Sequence, residues 1–218
     1  MKQLTVLITS GPTKEYIDPV RYISNSSSGK MGAALAKAAV KNKLKVIFVS
    51  GLDNADLPKQ VKQVKIVSAL DMFKAVKTNF KKSDIIICAA AVADFRPAKF
   101  SKNKIKKDNS LPAIKFIKNP DILEYCGKNK INQIVAGFAL ETQNLRKNAV
   151  IKLNKKKADL IIANNVKALN SDKTSIELFS KNKNIVFKNI SKTLAAEKII
   201  NETLGIFKYI KTNKKNSK

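Results

Sequence analysis

The sequence predicts an α/β fold built on a mostly parallel sheet with helices on both faces. Short runs of apolar and β-branched residues alternate along the chain with longer segments of helical periodicity. The run at residues 85–88 is apolar throughout, which is typical of a strand buried on both faces of a parallel sheet. Strands that alternate with helices in this way indicate βαβ units. The predicted architecture is therefore a Rossmann-like, doubly wound sheet.

The predicted elements follow one another with short connections. After a first strand at residues 4–9, the predicted strands share short apolar cores and lie at 45–50, 64–67, 85–88, 114–117, 133–138 and 159–162. The predicted helices have an apolar face and cover residues 29–41, 69–80, a segment that begins at 120, 145–157 and 191–208. Two further short strands, at 176–179 and 185–187, flank a polar turn and predict a C-terminal β-hairpin.

Length and composition predict one domain. The chain has 218 residues, of which 44% are hydrophobic, enough to bury one sizeable core. We assign residues 1–211 to this domain and predict a disordered basic tail at 212–218. The longest apolar run is too short for a membrane span, the start shows no secretory leader, and two cysteines offer no disulfide framework. We therefore expect a cytoplasmic protein without a membrane partner.

The net charge of +27 suggests nucleic-acid binding as a rival function. The 43 basic residues are scattered along the chain rather than gathered in a stripe, and only three of them are arginines. Base-edge readout favours the bidentate fork of Arg, and the chain has neither Trp nor a basic motif interleaved with aromatic residues. We expect no specific nucleic-acid partner, and a non-catalytic nucleotide- or nucleic-acid-binding module stays the alternative function.

The complete absence of histidine limits the kinds of catalytic and metal site that this chain can form. A Ser–His or Cys–His nucleophile and a His-ligated zinc site are both excluded. Chemistry on this chain has to rely on positioning, on the charges of Lys and Arg, on fixed dipoles and on a Mg²⁺ ion held by carboxylate. That inventory suits nucleotidyl and phosphoryl transfer.

A polar loop rich in small residues connects the first strand to the first helix. Gly11 and Pro12 end the strand, and Ser27, Ser28 and Gly29 lead into the helix, where the two serines are natural N-caps. Free backbone N–H groups and the helix dipole converge at such a point. The stretch predicts an anion site, and a polar loop that only caps the helix is the alternative interpretation.

Neither of two familiar phosphate-binding motifs fits this loop. A Walker A motif requires Gly at position 24 and Ser or Thr at position 31, where the sequence has Ser24 and Met31. The dinucleotide fingerprint requires three spaced glycines, and only Gly29 and Gly32 are present. A P-loop NTPase and an NAD(P)-dependent oxidoreductase are therefore disfavoured.

The same stretch, TSGPTKEYIDPVRYISNSSSGKMG at residues 9–32, resembles the opening of bacterial phosphopantothenoylcysteine synthetase. Four later segments resemble that family in the same order: AAAVADFRP at 89–97, KIKK at 104–107, KNPDI at 118–122 and GFALET at 137–142. The resemblance covers nearly the whole chain apart from the basic tail. It implies a ligase that joins 4′-phosphopantothenate to L-cysteine in coenzyme A biosynthesis.

The reaction implied by this resemblance uses CTP and Mg²⁺. The substrate carboxylate attacks the α-phosphate of CTP to give an acyl-cytidylate and pyrophosphate, and the amine of L-cysteine then displaces CMP. In many bacteria this ligase half is fused behind a flavin-dependent decarboxylase. The resemblance here covers the ligase half alone, so the chain is either a free-standing ligase, with a separate decarboxylase as its partner, or an excised half of a bifunctional protein. In both cases we expect no flavin on this chain. Family members pair as homodimers, and we expect a homodimer here.

The resemblance also implies roles for individual residues. Asn25 would act on the acyl intermediate, and Arg21 would orient an anionic group beside it. Asp94 would lie near the Mg²⁺ ion. The residues with an implied role in nucleotide binding are Gly11, Ser27, Ser28, Gly29, Cys88, Ala89, Ala90, Asp94, Lys104, Pro120, Asp121, Ile122, Leu123, Phe138, Lys152 and Lys156.

Several of these residues also have a purely structural interpretation. Arg21 could hold its loop by a salt bridge, Asp94 could cap a turn, and Phe138 reads as a core residue in isolation. Lys152 and Lys156 are four residues apart on one helix face and could be solvated surface. The Lys-dense segment 98–118 could be an exposed loop or a lid that closes over a triphosphate.

Overall fold

The computed structural model describes residues 3–52, 56–106, 113–141, 143–165, 173–181 and 183–216. In chain order its strands are β1 (Thr5–Ser10), β2 (Lys14–Tyr16), β3 (Tyr22–Ser24), β4 (Lys45–Ser50), β5 (Lys62–Lys65), β6 (Ile85–Cys88), β7 (Phe95–Pro97), β8 (Phe116–Lys118), β9 (Ile134–Glu141), β10 (Leu160–Asn165), β11 (Lys173–Ser180) and β12 (Asn184–Ser191). Its helices are α1 (Lys30–Lys41), α2 (Ala69–Phe80), α3 (Ile122–Asn129), α4 (Leu145–Lys155) and α5 (Lys192–Asn216).

Eight of these strands form one central sheet in the order β12-β11-β10-β9-β6-β1-β4-β5. The strands from β10 to β5 pair in parallel, and β11 and β12 add an antiparallel hairpin at one edge. Parallel neighbours need crossover connections, which helices supply in this chain. The prediction of a Rossmann-like, mostly parallel sheet with a C-terminal β-hairpin is confirmed.

Helices cover both faces of the sheet because its central strands are apolar on both sides. On β1, Val6 and Ile8 pack in the core that α1 and α5 complete. Leu7 of the same strand points to the opposite core, which it shares with Ile86 of β6 and with residues of α2, α3 and α4. All four side chains are fully buried, and each such burial contributes about 1.5–3 kcal/mol. The central sheet is therefore tightly packed on both faces. The loops that form the candidate site follow the carboxyl ends of its parallel strands.

Two small antiparallel hairpins stand outside the central sheet. One pairs β2 with β3 and the other pairs β7 with β8. The first hairpin and β7 lie in stretches for which the sequence predicted only loops, and β8 lies close to the strand predicted at 114–117. Phe95 and Phe116, the first residues of β7 and β8, are exposed, so these strands lack the buried face whose pattern reveals a strand in sequence.

Helix α5 continues to Asn216, so the prediction of a disordered tail is wrong for residues 212–216. The hydroxyl of Thr212 donates to the carbonyl of Lys208, and the Lys211 ammonium lies 4.5 Å from the ring centre of Phe207. Lys is a good helix former, and a helix extends at little cost once it is nucleated. Residues 217–218 lie outside the described part. None of the five helices described here, α5 included, is both long and apolar enough to cross a membrane.

Candidate functional site

Two adjoining cavities open at the carboxyl ends of the parallel strands, where open α/β sheets bind ligands. The first, which we call the loop cavity, has a volume of about 550 Å³ and is bounded by residues 25–32 and the ends of β6, β9 and β10. The second, the α3 cavity, has a volume of about 520 Å³ and includes residues 119–124 at the start of α3. The residues that line both cavities are Ala90, Val92, Asp94, Phe138 and Lys152.

The loop cavity contains a helix end that no side chain caps. The N-cap of α1 is Gly29, in the left-handed region with φ 68°, and no side chain makes a cap hydrogen bond there. The prediction that Ser27 and Ser28 cap the helix is therefore wrong, and the Ser27 hydroxyl instead accepts the N–H of Gly29 at 3.4 Å. The first turn carries no acidic residue. Such a helix end, with its positive dipole, favours an anion.

Close packing of α1 against β1 fixes the position of this helix end. A Cβ atom on Gly32 would lie 2.1 Å from the Ser10 hydroxyl oxygen, so only glycine permits the approach. The same hydroxyl donates to the carbonyl of Gly29 at 3.3 Å. Gly11 follows β1 with φ 71°, and its carbonyl accepts the N–H of Ala91 at 2.9 Å. Gly11 thus joins the loops after β1 and β6, and it is not among the described residues that line either cavity.

Asn25 connects two walls of the loop cavity. Its Nδ2 atom donates to the carbonyl of Ala91 at 3.2 Å and to that of Val92 at 3.0 Å. Because carbonyls only accept hydrogen bonds, these two bonds fix the orientation of the amide. Asn25 lies in the wall of the loop cavity, with its donors directed to the backbone of the loop after β6, and its role toward the acyl intermediate stays a prediction.

Arg21 holds its own loop by a salt bridge. Its Nε atom donates to the Asp18 carboxylate at 2.9 Å, and its Nη2 atom contacts the same carboxylate and donates to the carbonyl of Ile105 at 2.9 Å. The buried Asp18 side chain also accepts the N–H groups of Val20, Arg21 and Ile105. The Arg21 guanidinium, helped by these backbone bonds, holds the pKa of Asp18 well below its usual range. The salt bridge to Asp18 agrees with the structural interpretation, in which Arg21 holds its own loop. The role of Arg21 beside the acyl intermediate stays a prediction.

Lys104 lies on the segment that these bonds anchor. The N–H of Ser101 donates to the carbonyl of Ile17 at 2.9 Å, which ties the start of the predicted lid to the β2–β3 hairpin. Residues 107–112 of that lid lie outside the described residues. Lys104 is exposed, and it is absent from the described lining of both cavities. Its predicted contact with the triphosphate remains a prediction.

The loop after β6 is fixed by Asn119 and Arg96, neither of which was a predicted site residue. The N–H of Asn119 donates to the carbonyl of Asp94 and its Nδ2 atom donates to that of Ala93, both at 2.8 Å. Arg96 in turn donates from Nη1 to the Asn119 side-chain oxygen at 2.9 Å. These bonds place the exposed Asp94 in the wall that the two cavities share.

Asp94 is a suitable ligand for a metal ion that arrives with a nucleotide. Within the described ranges, no group of three or more Asp, Glu and Cys side chains could hold a metal by itself. Mg²⁺ usually binds through one or two carboxylates and takes its other ligands from substrate phosphates and water. A single carboxylate beside an anion-binding helix end fits that donor set.

The α3 cavity carries three tightly paired charges. Asp121 caps α3 by accepting the N–H of Glu124 at 2.8 Å, and the Lys156 ammonium lies 2.8 Å from both carboxylates. Burial lowers the pKa of Lys156, but the hydrogen bonds to Asp121 and Glu124 outweigh burial and leave the pKa raised. Hydrogen bonds from Lys128 and Lys156 lower the pKa of Glu124 to about 2. Lys156 and Glu124 therefore keep their charges at neutral pH.

Lys152 and Phe138 lie between the two cavities. The Lys152 ammonium donates to the carbonyl of Phe138 at 2.7 Å, which holds a cation at the carboxyl end of β9. Phe138 is half-buried, with its side chain lining both cavities. Cys88 also lines the α3 cavity, where the hydrogen-bonded Cys126 thiol and burial raise the pKa of its own thiol. The Cys88 thiol is therefore protonated and a poor nucleophile.

The structure brings most of the predicted site residues together. Those that line one or both cavities are Asn25, Ser27, Ser28, Gly29, Cys88, Ala89, Ala90, Asp94, Pro120, Asp121, Ile122, Leu123, Phe138 and Lys152. Lys156 joins them through its bonds to Asp121 and Glu124. Sequence reasoning missed Asn164, Thr174 and Lys192, which line the loop cavity from the far side. The one available signal was the position of Asn164 at the carboxyl end of a predicted strand.

A larger cavity, of about 750 Å³, lies at the opposite edge of the sheet. It is bounded by α4, α5 and the turn between β11 and β12, near the amino ends of β9 and β10. None of the predicted site residues belongs to its described lining. This cavity is larger than the other two, but size alone does not make it the candidate site. The side chains with suitable chemistry lie at the carboxyl edge of the sheet, and we place the candidate site there.

The fold and the site define a Rossmann-like α/β protein with ligand cavities at the carboxyl edge of its sheet. Residues 1–206 match the family described as DNA/pantothenate metabolism flavoprotein C-terminal domain, and the chain belongs to that family. The resemblance found in the sequence is thereby confirmed.

Relatives and solved structures agree with this assignment. The chain is 42% identical over 208 residues to the coenzyme A biosynthesis bifunctional protein CoaBC of Haemophilus influenzae, covering 94% of this chain and 52% of that protein. It is 46% identical over 164 residues to CoaBC of Bacillus subtilis, covering 75% and 40%. The chain thus spans about half the length of the curated relatives it matches.

The same fold is found in solved structures. The crystal structure of the C-terminal domain of a CoaBC bifunctional protein matches with a TM-score of 0.82 and 34% identity, covering 97% of this chain and 98% of that chain. A DNA/pantothenate metabolism flavoprotein from Streptococcus pneumoniae matches with a TM-score of 0.81 over 93% of this chain and 99% of that chain. At 21% identity, the second match shows the fold alone.

Proposed function

We propose that this chain is a phosphopantothenate–cysteine ligase that uses CTP in coenzyme A biosynthesis, with residues 1–211 as its ligase domain. The observation that carries the proposal is the pair of adjoining cavities, one with an uncapped helix end and both lined by Asp94, Phe138 and Lys152. Membership of a family whose relatives are coenzyme A biosynthesis proteins supports it. The absence of histidine is consistent with this proposal, because nucleotidyl transfer can rely on positioning and on the charges of Lys and Arg.

In this proposal the nucleotide lies across both cavities. The cytosine ring occupies the α3 cavity against Phe138 and the backbone of residues 120–123. The triphosphate crosses Asp94 and reaches the start of α1 at Gly29, where N–H groups and the helix dipole stabilise negative charge. Lys152 neutralises part of that charge, and Lys156 does so while paired to its two carboxylates. Bound Mg²⁺, held by Asp94 and the phosphates, would supply further neutralisation of the triphosphate.

The proposed reaction then needs mainly positioning. An oxygen of the 4′-phosphopantothenate carboxylate forms a bond to the α-phosphorus of CTP, and the bond to pyrophosphate breaks. The amine of L-cysteine next forms a C–N bond to the acyl carbon, the bond to CMP breaks, and the amine gives up a proton. Asn25 lies in the wall of the loop cavity, and its amide would donate to the acyl oxygen once one of its two backbone bonds opens.

We further propose that the chain forms a homodimer in the cytoplasm and that its product passes to a flavin-dependent decarboxylase. Exposed apolar side chains on the two small hairpins support pairing, among them Tyr22, Ile23, Phe95 and Phe116. Monomeric proteins rarely expose large contiguous apolar patches. Light scattering should give twice the chain mass, and Tyr22→Asp should shift it toward the monomer. A monomer at micromolar concentration would contradict this part of the proposal.

The experiment that tests the proposed activity is a substrate-omission assay. Purified protein with Mg²⁺, CTP, 4′-phosphopantothenate and L-cysteine should release pyrophosphate and CMP in equal amounts and form 4′-phosphopantothenoylcysteine. The family resemblance leads us to expect higher activity with CTP than with ATP. Pyrophosphate release should stop when 4′-phosphopantothenate is left out. Release that ignores this omission would contradict the substrate assignment.

A further inference from the structure

An apolar groove lies between α4 and α5, at the edge of the sheet opposite the candidate site. It is the cavity of about 750 Å³ described above, and we call it the α4–α5 groove. Leu153 of α4 and Ile206 and Ile210 of α5 contribute apolar side chains to its lining. The two isoleucines pack against the core that α1 and α5 complete but stay partly exposed, and Tyr209 beside them is 61% exposed. Apolar surface gathered in this way is typical of a binding site.

The part of the groove that α5 supplies has the spacing of a helix–helix contact. The residues of α5 in the lining are Glu202, Gly205, Ile206, Tyr209 and Ile210. Residues three and four apart lie on one helix face, and a mainly apolar face is the seam along which a second helix packs. From the first to the last of these residues the helix rises about 12 Å, which is two turns. The groove therefore fits two turns of a helix laid along it.

Gly205 leaves a notch in this helix face. A Cβ atom added there would meet no atom within 4 Å, and the backbone of Gly205 is not among the left-handed ones of the described residues. Glycine destabilises a helix interior compared with other residues, and nothing in the described fold requires it at this position. The missing side chain keeps the groove open, so that a side chain of a partner helix can enter between the turns of α5.

The acidic residues of the lining are already neutralised. The carboxylate of Asp159 pairs with the ammonium of Lys130 at 2.5 Å, and that of Glu202 pairs with the ammonium of Lys183 at 3.5 Å. A basic ligand would have to compete with these two lysines for each carboxylate. The groove is therefore poorly suited to a basic partner.

Two further lysines make the groove attractive to an acidic partner. Lys157 and Lys181 line it as well, and neither forms an ion pair within the ranges that the structure describes. Complementary charge speeds association and selects among partners. The apolar lining and the two lysines together call for a ligand with an apolar face bordered by carboxylates.

We propose that the α4–α5 groove binds an acidic amphipathic helix of another protein. The apolar side chains of that helix fill the groove, one of them enters the notch at Gly205, and its carboxylates pair with Lys157 and Lys181. A second copy of this chain is a poor occupant, because each copy carries a net charge of +27 and like charges repel. The groove is independent of the proposed ligase site, which lies at the other edge of the sheet.

The test uses a synthetic peptide as the probe and fluorescence anisotropy as the measurement. The fluorescein-labelled peptide has about 18 residues, with Leu at helix spacings i, i+3, i+4 and i+7 and with Glu and Ala elsewhere. The full chain should bind it, and Gly205→Leu should lower the affinity about tenfold or more, because the new side chain fills the notch. The melting temperature of Gly205→Leu should rise, since leucine is the better helix former.

Asn201→Leu is the matched control for the filled notch. Asn201 is exposed on the same helix and lies outside the described lining of the groove. This variant adds the same apolar side chain to α5 and should keep the affinity for the peptide. Equal affinity of Gly205→Leu and the wild type, or no binding of the peptide to the wild type, would overturn the proposal.

A second pair of variants tests the role of charge. Lys181→Glu should lower the affinity about 2–10-fold, and less so at high salt, because it opposes the carboxylates of the peptide. Lys62→Glu changes the net charge equally, but Lys62 is exposed on β5, at the far edge of the sheet. Equal losses in the two variants, or equal binding of a peptide of the same composition in scrambled order, would reduce the effect to general charge attraction and overturn the site. A fall of the chain's own mass in light scattering of Gly205→Leu would instead identify a contact between copies and overturn the proposed partner.

Discussion

The side-chain amide of Asn25 donates to the carbonyl of Val92 at 3.0 Å. This bond, with its companion to Ala91, joins the loop before α1 to the loop after β6. The uncapped helix end and Asp94 therefore face a common space, the loop cavity. A single side chain thus sets the distance between the place we propose for the phosphates and the place we propose for the acyl group.

Replacement of Asn25 should separate the two half-reactions. Attack by the amine puts negative charge on the acyl oxygen, and removal of one donor to such an oxygen typically slows a step about 10²–10³-fold. Asn25→Ala should therefore form acyl-cytidylate and transfer it slowly to L-cysteine, as quenched single-turnover experiments can resolve. Asn25→Asp should be slower still, because a carboxylate would oppose the developing charge and the carbonyls of Ala91 and Val92.

Asn129→Ala is the control for this prediction. Asn129 is exposed on α3, and its amide donates only within that helix, to the carbonyl of Tyr125. This variant should keep both half-reactions. Loss of CTP binding and activation together in Asn25→Ala would show that Asn25 only builds the loop.

Replacement of Lys152 should weaken CTP binding far more than replacement of its neighbour Lys155. Lys152 is held at the carboxyl end of β9 and lines both cavities, whereas Lys155 is exposed on the same helix. Lys152→Met keeps the length of the side chain and removes its charge. Hydrogen bonds to charged groups are worth about 1.5–3 kcal/mol, so calorimetry should show CTP affinity reduced roughly 10–100-fold. Equal losses in Lys155→Met would indicate general charge attraction rather than a site.

Asp18 should make the folded state sensitive to acid. Its pKa is lowered in the folded protein, so its contribution is complete above the ordinary Asp value near 4 and is lost as the pH falls below that value. Asp18→Asn should lower the free energy of unfolding at pH 7 by about 1–3 kcal/mol. It should also flatten the pH dependence between pH 4 and pH 2. Urea unfolding across this range measures both effects.

Asp56→Asn gives the comparison for Asp18. Asp56 pairs with Lys37 at 2.6 Å but is almost fully exposed, and exposed pairs contribute about 0–1 kcal/mol. Its variant should therefore follow the wild-type pH curve. If Asp18→Asn also followed that curve, the bonds from Arg21 and Ile105 would not stabilise the fold as inferred.

The fold could be predicted because its central strands are buried on both faces. Such strands are continuous apolar runs in the sequence. The predicted bounds of two of them, 45–50 and 85–88, agree at both ends with β4 and β6. The β2–β3 hairpin could not be predicted in this way. It is fixed by the hydrogen bonds of one buried aspartate, Asp18, and a single polar residue leaves no periodic pattern in a sequence.

The site was predictable where a contiguous motif forms it and not where the sheet assembles it. Residues 25–29 and 88–94 are continuous segments, and both line the loop cavity or the α3 cavity. Thr174 reaches the loop cavity because β11 lies beside β10 and shifts its register at that point. Strand order and register are tertiary properties. In the sequence, Thr174 is an ordinary threonine before a short strand.

The product should not be decarboxylated by this chain alone. The family of the decarboxylase resembles an acid–base system that relies on histidine. Histidine is absent from the whole sequence of this chain. Mass spectrometry of a completed reaction should therefore find 4′-phosphopantothenoylcysteine without loss of carbon dioxide. Addition of a flavin-dependent decarboxylase should then convert it. Detection of 4′-phosphopantetheine from the pure protein would contradict a single activity.

The most direct test of the central claim follows the oxygen atoms of the substrate. If the carboxylate of 4′-phosphopantothenate attacks the α-phosphate of CTP, one carboxylate oxygen stays with the phosphorus when L-cysteine displaces CMP. Substrate labelled with ¹⁸O in both carboxylate oxygens should therefore yield CMP that carries one ¹⁸O atom and an amide that carries the other. Mass spectrometry of the two products measures this. Unlabelled CMP, with the label in inorganic phosphate or in water, would contradict an acyl-cytidylate and the site that we have assigned to form it.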